Sequence, residues 1–168
     1  MTEAAETGRT GTQRQLVLFD LASENYAVDI HQVREIIRVP HITRVPQAPE
    51  FVEGVINLRG NVIPVLDLRK RFGLGEGEAT DRRRIIVVEM DDRTIGMIVD
   101  AVSEVLRIDE SLIDDPSPYI VSVNTRYIEG IVKLEDKLVV LLHLDQVLSE
   151  GEKERLARAV VDETDDGV

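Results

Sequence analysis

The sequence predicts a mainly β fold built as two small barrels, and three observations carry that prediction. The apolar segments are short and dominated by Val, Ile and Leu, a composition that suits a pleated, half-buried surface. Gly, Pro, Asn and Asp interrupt them at close spacing, which is the signature of many short strands. The chain also repeats itself. Residues 16–39 (LVLFDLASENYAVDIHQVREIIRV) align without a gap on 85–108 (IIVVEMDDRTIGMIVDAVSEVLRI) at an offset of 69. Residues 51–72 (FVEGVINLRGNVIPVLDLRKRF) align on 127–148 (YIEGIVKLEDKLVVLLHLDQVL) at an offset of 76. Val33 meets Val102, Glu35 meets Glu104, Arg38 meets Arg107, and Glu53-Gly54 meets Glu129-Gly130. Two matched blocks in the same order are two copies of one β unit, and small β units of this kind close into barrels.

Taken in order, residues 1–13 are polar and small and are expected to be a flexible tail. Leu16–Leu21 is a strand, Ser23-Glu24-Asn25 a turn and Tyr26–Ile30 a second strand. One helical turn within His31–Glu35 leads to a strand over Ile36–Val39. Pro40, Pro46 and Pro49 leave room for a short strand over Ile42–Val45, then a single helical turn at Pro49–Val52. Gly54–Leu68 (GVINLRGNVIPVLDL) is a hairpin with Arg59 at its tip, because Gly60 and Asn61 tolerate positive φ. Pro64 lacks an N–H and is expected at an edge or a bulge. Arg69–Phe72 is a further helical turn ended by Gly73. Gly73–Thr80 connects the copies, which divide the chain into a first barrel (14–80) and a second (81–149), with exchange of strands between them allowed. The second copy's longer connection holds Asp114-Asp115-Pro116-Ser117-Pro118 and accounts for the larger second offset. EKERLARAV then reads as an amphipathic helix with Leu156, Ala159 and Val160 near one face, and DETDDGV as an acidic tail, so that 150–168 forms a C-terminal appendage.

Composition narrows the function. With 168 residues and 43% hydrophobic content the chain can bury a substantial core, and with 4% aromatics that core is aliphatic. There is no Cys, which removes disulfides and thiolate metal sites and fits a reducing cytosol. The formal charge of −12 repels phosphate backbones and anionic membranes. No apolar run approaches a membrane span or a secretory signal, so a soluble cytoplasmic protein is expected. GLGEGEAT lacks the spacing and the Lys-Ser/Thr of a phosphate loop, and Arg82-Arg83-Arg84 reads as a solvated strand entrance. His31, His41 and His143 have no metal-ligand spacing, Ser103, Ser111 and Ser117 lie in no nucleophile motif, and Asp114-Asp115 before Pro is turn chemistry. No catalytic residue, cofactor or metal is expected. A nucleic-acid-binding pair of barrels would need a basic, aromatic face, which this composition does not supply.

One feature separates the copies. The tip Leu58-Arg59-Gly60-Asn61 becomes Leu134-Glu135-Asp136-Lys137 in the second copy. A tip that changes on a repeated scaffold is a place to look for function. Arg59 there is either a solvated tip charge or a bidentate partner for an acidic group. Ile30, Val33 and Ile36 read as core before they read as contact residues, since apolar residues on strands are core more often than not. Glu35, duplicated as Glu104, reads as part of an ion pair with Arg38 or Arg107, or as a binding residue.

The order LVLFDLASENYAVDIHQVREII, GVINLRGNVIPVLDLRKRFG, IGMIVDAVSEVL, YIEGIVKLEDKLVVLLHLDQVL resembles the CheW family of bacterial chemotaxis coupling proteins over roughly residues 14–150. The resemblance implies two packed five-stranded SH3-like barrels. It also implies a non-catalytic adaptor joining the cytoplasmic tip of methyl-accepting chemotaxis receptors to the regulatory domain of the chemotaxis histidine kinase. Such a protein would be a monomer alone, would alternate with the kinase in rings, and would be recruited to receptor arrays at the membrane. A pilus- or gliding-pathway adaptor would look much the same. Carried over by position, the receptor groove would use Ile30, Val33, Glu35, Ile36, Asn57 and Arg59, with Gly54 allowing close backbone approach. The kinase contact would use exposed apolar positions at Ile42, Val62 and Leu68, with Tyr119 at a second ring contact.

Overall fold

The computed structural model describes residues 12–75, 77, 79–116 and 127–157. The strands are β1 (Gln13–Leu21), β2 (Glu24–Asp29), β3 (Val33–Arg38), β4 (Val52–Leu58), β5 (Asn61–Asp67), β6 (Arg84–Met90), β7 (Arg93–Val99), β8 (Ala101–Asp109), β9 (Ile113–Asp114), β10 (Ile128–Leu134) and β11 (Lys137–Leu142). Short helical turns occupy Ile30–Gln32, Leu68–Arg71, Glu110–Leu112 and Leu144–Gln146. Residues 150–157 are helical.

These strands form two sheets, with orders β8-β1-β2-β11-β10-β9 and β3-β6-β7-β5-β4. Applying the sequence repeat converts one order into the other: β1, β2 and β3 correspond to β6, β7 and β8, while β4 and β5 correspond to β10 and β11. The ninth strand's counterpart is a single bridge, Thr43 to Val55. Each sheet therefore takes its first two strands from one copy and the remainder from the other. A cut at residue 81 does not separate the sheets, because β6 and β7 join β3, β4 and β5 while β1 and β2 join the second copy. Each sheet has one antiparallel joint between the copies, β1 to β8 or β3 to β6, and one parallel joint, β2 to β11 or β5 to β7.

The exchange shapes the core. One interior holds Leu16, Leu18, Ala27, Ile108, Val132, Val139 and Leu141. The other holds Ile56, Ile63, Val65, Ile85, Val87 and Ile98. The third cluster lies between the sheets and contains more buried residues than both interiors together, among them Val17, Phe19, Leu66, Leu68, Val88, Met97, Leu144 and Leu156. At about 1.5–3 kcal/mol for each large apolar side chain removed from water, the seam is the largest store of hydrophobic free energy and makes the two sheets one unit. Four of the aromatics run in a stack alongside it: Phe19 to Tyr26 at 6.0 Å, Tyr26 to Phe72 at 6.1 Å and Phe72 to Tyr127 at 4.6 Å. Such offset stacks add to area burial.

Several local expectations change. The first strand begins at Gln13, where its ladder with β8 starts opposite Asp109. The first turn is Ala22-Ser23, both at positive φ (50° and 70°), so Glu24 and Asn25 are already strand. The helical turn comes earlier, at Ile30–Gln32, because Asp29 accepts the His31 N–H, and the next strand starts at Val33. No strand forms over Ile42–Val45, where the prolines reduce pairing to the Thr43 bridge. Pro64 is buried in a strand with neighbours on both sides. It fits because the parallel ladder with β7 begins one residue later, at Val65. The tip of the central hairpin places Arg59 (φ 53°) and Gly60 (φ 89°), not Asn61, at positive φ. That is the mirror-image turn matching the twist of a two-residue hairpin. The anticipated aliphatic core is correct for both interiors, where no aromatic is buried.

Candidate functional site

A groove of about 490 Å³ opens beside the tip of the β4–β5 hairpin. Leu58, Arg59, Asn61, Val62, Ile63 and Pro64 form one wall, Arg34, Glu35 and Val87 the floor at β3 and β6, and Arg93, Thr94, Ile95, Leu156 and Ala157 the far side.

Local rules place each polar group. Leu58 pairs with Asn61, so Arg59 and Gly60 are the whole loop. Asn57 Oδ1 accepts the Gly60 N–H at 2.8 Å, which fixes the turn and leaves the Arg59 side chain projecting from it. A bulge between Val33 and Glu35 flips the alternation of β3. Val33 lies opposite Val88 and packs on the inter-sheet core, while Glu35 lies opposite Val87 and emerges in the groove. Arg59 donates to the Glu35 carboxylate. With Arg59 68% and Glu35 30% exposed, the pair stays wet and contributes little to folding. Arg34 pairs with Glu89 at the same floor. Arg93 has no ion-pair partner among the described residues.

The expected ion pair was with Arg38 or Arg107, and the structure supplies Arg59 instead; residues 35 and 38 point to opposite faces of β3. The second copy retains the pair in altered form. Glu104 meets Lys137 at 3.6 Å, the cation having moved from the tip to the first strand residue after it.

The structure brings Glu35, Arg59 and Val62 into one groove, with Asn57 directly across the hairpin from Val62. It does not bring the other candidates there. Ile36 is on the opposite face of β3 and 40% exposed. Ile30 and Val33 are half-buried against the inter-sheet core. Gly54 is buried and does permit a close approach, but of the chain's own backbone: a Cβ there would stand 2.1 Å from the Thr43 carbonyl oxygen. Its counterpart Gly130 is crowded in the same way by Ile113 and Asp114, so the repeated Glu-Gly is a structural bulge. Ile42 is half-buried against the interior of its own sheet. Leu68 is fully buried and cannot be an exposed contact; the Asp67 side chain caps its helical turn and drives Leu68 into the seam. Tyr119 lies outside the described residues.

Sequence reasoning missed Arg34, Arg93 and the C-terminal helix as parts of this groove. The helix was legible as an element, with Leu156 on its apolar face. Its docking site was not, since nothing local marks Asp91 as its anchor. Lys153 is only 2% exposed and reaches Asp91 at 3.5 Å and Glu150 at 3.4 Å. Ser149 and Glu152 cap the helix reciprocally, at 2.8 and 3.1 Å.

Among the described residues no group of three or more His, Asp or Glu side chains converges as a metal site. No helix among them is long and apolar enough to cross a membrane. A second, smaller cavity, lined by Arg44, Glu53, Asp67, Arg69, Lys70 and Asp100, holds two internal ion pairs: Lys70 to Glu53 at 2.7 Å and Arg69 to Asp100 at 3.1 Å. Burial raises the Asp67 carboxyl above its ordinary range, against the backbone N–H groups of Lys70 and Arg69 that favour its charged form.

A family model described as the CheW-like domain matches residues 15–152, which spans both sheets and the start of the C-terminal helix. The chain belongs to the CheW-like family. The chemotaxis protein CheW of Rhizobium meliloti is 38% identical over 155 residues, covering 92% of this chain and 99% of its own. That of Bacillus subtilis is 37% identical over 157 residues, covering 94% and 99%. Among solved structures, the scaffolding protein TtCheW from Thermoanaerobacter tengcongensis superposes with a TM-score of 0.77 at 43% identity, covering 85% of this chain and 97% of that one. The two exchanged sheets are thus the two SH3-like barrels of the CheW fold. The CheW-like family is a family of non-catalytic adaptors.

Proposed function

We propose that this chain, a CheW-like adaptor coupling chemotaxis receptors to the chemotaxis histidine kinase, takes the receptor's cytoplasmic tip on the hairpin face that carries Arg59. The single observation that carries this is the groove itself. It sets an exposed guanidinium on a rigid two-residue turn, steadied by Asn57 and Glu35, beside the half-buried Val62. A helical receptor tip with an acidic residue would exchange Glu35 for its own carboxylate on Arg59 and cover Val62. A charge-assisted pair that becomes partly desolvated in this way is worth about 1–3 kcal/mol. Ile36, exposed on the outer face of β3, extends the contact beyond the groove, while Ile30 and Val33 support it from the core side.

The kinase's regulatory domain would then take a different part of the same barrel. Among the described residues the outer edge of β4 is covered by the Thr43 bridge alone, which makes the segment around Ile42 one of the two edges of this sheet. Val62 belongs to the receptor side in this arrangement, and Leu68 supports the fold and contacts no partner. Tyr119, on the connection of the second copy, remains the proposed second contact in a ring with the kinase. Two barrels related by an internal repeat offer two comparable faces, as a ring of alternating subunits requires. The assembly places the adaptor in the cytoplasm at the receptor array, held by its partners and without insertion into the membrane.

The test is kinase autophosphorylation with receptor fragments, with and without this protein, comparing wild type with Arg59→Glu. Wild type couples the kinase to the receptor and the variant does not. Equal coupling by both removes Arg59 from the site. No coupling by the wild type with chemotaxis partners moves the assignment to a pilus or gliding pathway.

A further inference from the structure

The end of β3 and β6 away from the Arg59 groove gathers arginines without matching acids. Arg38 and Arg84 lie directly opposite one another in the antiparallel β3–β6 ladder. Their side chains share a face, with Cβ atoms about 5 Å apart, and like charges so placed weaken a sheet. Both line a groove of about 370 Å³ with Val39, Ala79, Asp81 and Arg83. Three guanidinium groups there face one carboxylate, on a chain whose formal charge is −12. Among the described residues Arg38, Arg83 and Arg84 form no ion pair. Neither does Arg44, which follows the Thr43 bridge and lines the adjoining cavity together with Arg83. Arg83 acts on the buried Asp67 only at longer range. Asp81 offers Arg84 its backbone carbonyl, at 2.7 Å, and the Arg83 carbonyl accepts from the same Nη1 at 2.8 Å. These two bonds hold the Arg84 guanidinium in place. They leave its Nε and Nη2, the edge that takes a carboxylate side-on, without a bond to any described residue.

We infer that this cluster is a docking surface for an acidic segment of a partner protein, separate from the Arg59 groove. The fold gains nothing from two arginines set against each other across a ladder; an anion between them turns that repulsion into attraction. Glu35 and Val87, on the floor of the Arg59 groove, pair three residues back along the same two strands, about 10 Å away. The two surfaces can therefore be occupied at once. Carboxylates suit the cluster better than a phosphate polymer does. No aromatic side chain lines this groove to stack on a base, and the charge of the whole chain repels a long polyanion. A short acidic segment meets only the local field, which falls off within about 10 Å at ordinary salt. Val39 and Ala79 give its aliphatic stems an apolar floor. The inference does not rest on where a receptor or a kinase binds.

The probe is an end-capped hexaglutamate peptide, titrated into the isotope-labelled full chain at low salt. The amide signals of Val39, Arg84 and Ile85 move, and those of Asn61, Val62 and Thr94 beside the Arg59 groove do not. Arg38→Gln weakens binding about tenfold, and adding Arg84→Gln about tenfold more. Arg38→Gln also melts no lower than wild type, because the repulsion across the ladder leaves with the charge. Arg59→Gln binds the peptide as wild type does. About 1 M salt, where the screening length is about 3 Å, abolishes the shifts. Still signals at Val39, Arg84 and Ile85, or equal binding by the double variant, overturn the inference. So does an Arg38→Gln protein that melts well below wild type, since Arg38 then serves the fold. A phosphoserine peptide or an oligothymidylate of equal charge that binds at these amides more tightly than hexaglutamate overturns the assignment to a carboxylate partner.

Discussion

Gly54→Ala tests how the first sheet is closed. The Cβ it introduces would lie 2.1 Å from the Thr43 carbonyl oxygen, 2.8 Å from the Thr43 carbonyl carbon and 2.9 Å from Ile42 Cγ2. Two of these three atoms are backbone, and Thr43 is fixed on both sides, its N–H donating to Val55 at 2.9 Å and its carbonyl accepting at 2.8 Å. The obstruction cannot rotate away. Gly54 also sits at φ +147°, a region L-residues avoid. Overpacking contributes about 1–3 kcal/mol and the backbone conformation about 1–3 kcal/mol. We therefore expect a loss of about 3–5 kcal/mol, a large part of the stability of an ordinary domain. Gly60→Ala is the internal control. It too has positive φ (89°), but a Cβ there meets nothing within 4 Å, so its cost is about 1 kcal/mol. By calorimetry or urea titration of the two variants, Gly54→Ala melts on the order of 10 °C below wild type and Gly60→Ala only a few degrees below. Equal losses would show that the Thr43–Val55 closure is not what Gly54 serves. In that case a role for Gly54 in admitting a partner would return.

Other expectations rest on the same structure. A fragment ending at residue 80 lacks β6 and β7, the two central strands of its own sheet, and gives the circular dichroism of an unfolded chain; a folded fragment would refute the reciprocal exchange. Leu68→Ala costs about 2–5 kcal/mol in urea titrations, and any loss of kinase coupling tracks the unfolded fraction, with no specific effect on the kinase at low temperature. Asp67 is raised by burial above its unfolded value, so the native state binds its proton more tightly than the unfolded state does. Its contribution is most favourable below about 3.8 and is lost as pH rises through the folded value. Asp67→Asn keeps a capping side chain and removes that loss, so the variant is no less stable at neutral pH, and its stability declines less than wild type's as pH rises from about 4. A steeper decline in the variant would reverse the sign of the argument.

Much of this fold can be read from residues alone because its signals are local. Short β-branched runs, the Arg59-Gly60 tip and the two gapless repeats are all properties of contiguous segments. The pairing of sheets is not. That β2 adds to β11 and β5 to β7 depends on which half of a duplicated chain each strand prefers, and two copies with the same pattern give no local preference. The same degeneracy hid Glu35's partner: Arg59 is distant in sequence, whereas Arg38 is near and points to the other face. The Glu53-Gly54 repeat could be seen, but its reason could not, because the crowding atom belongs to Thr43. Leu68 looked like an exposed position after a strand. The Asp67 cap turns it inward, and Asp67's repeat partner His143 supplies no such side-chain cap.

The site divides in the same way. Arg59 was legible because the tip chemistry differs between otherwise equivalent copies. Arg34 and Arg93 were not, since each lies on an ordinary polar position of a strand, and only the closing of the sheet sets them around one groove. The C-terminal helix announced its apolar face but not the surface it would cover.

The central claim is that the Arg59 face receives an acidic, helical receptor tip. The most direct measurement is the affinity of a receptor cytoplasmic-tip fragment for wild type and for Arg59→Glu, with the melting temperature of each protein taken alongside. Losing an exposed ion pair costs folding at most about 1 kcal/mol, so both proteins melt within a few degrees of each other. Losing a partly desolvated contact, and placing a second carboxylate beside Glu35, weakens binding by about ten- to a hundredfold. Equal affinities with both proteins folded would contradict the account.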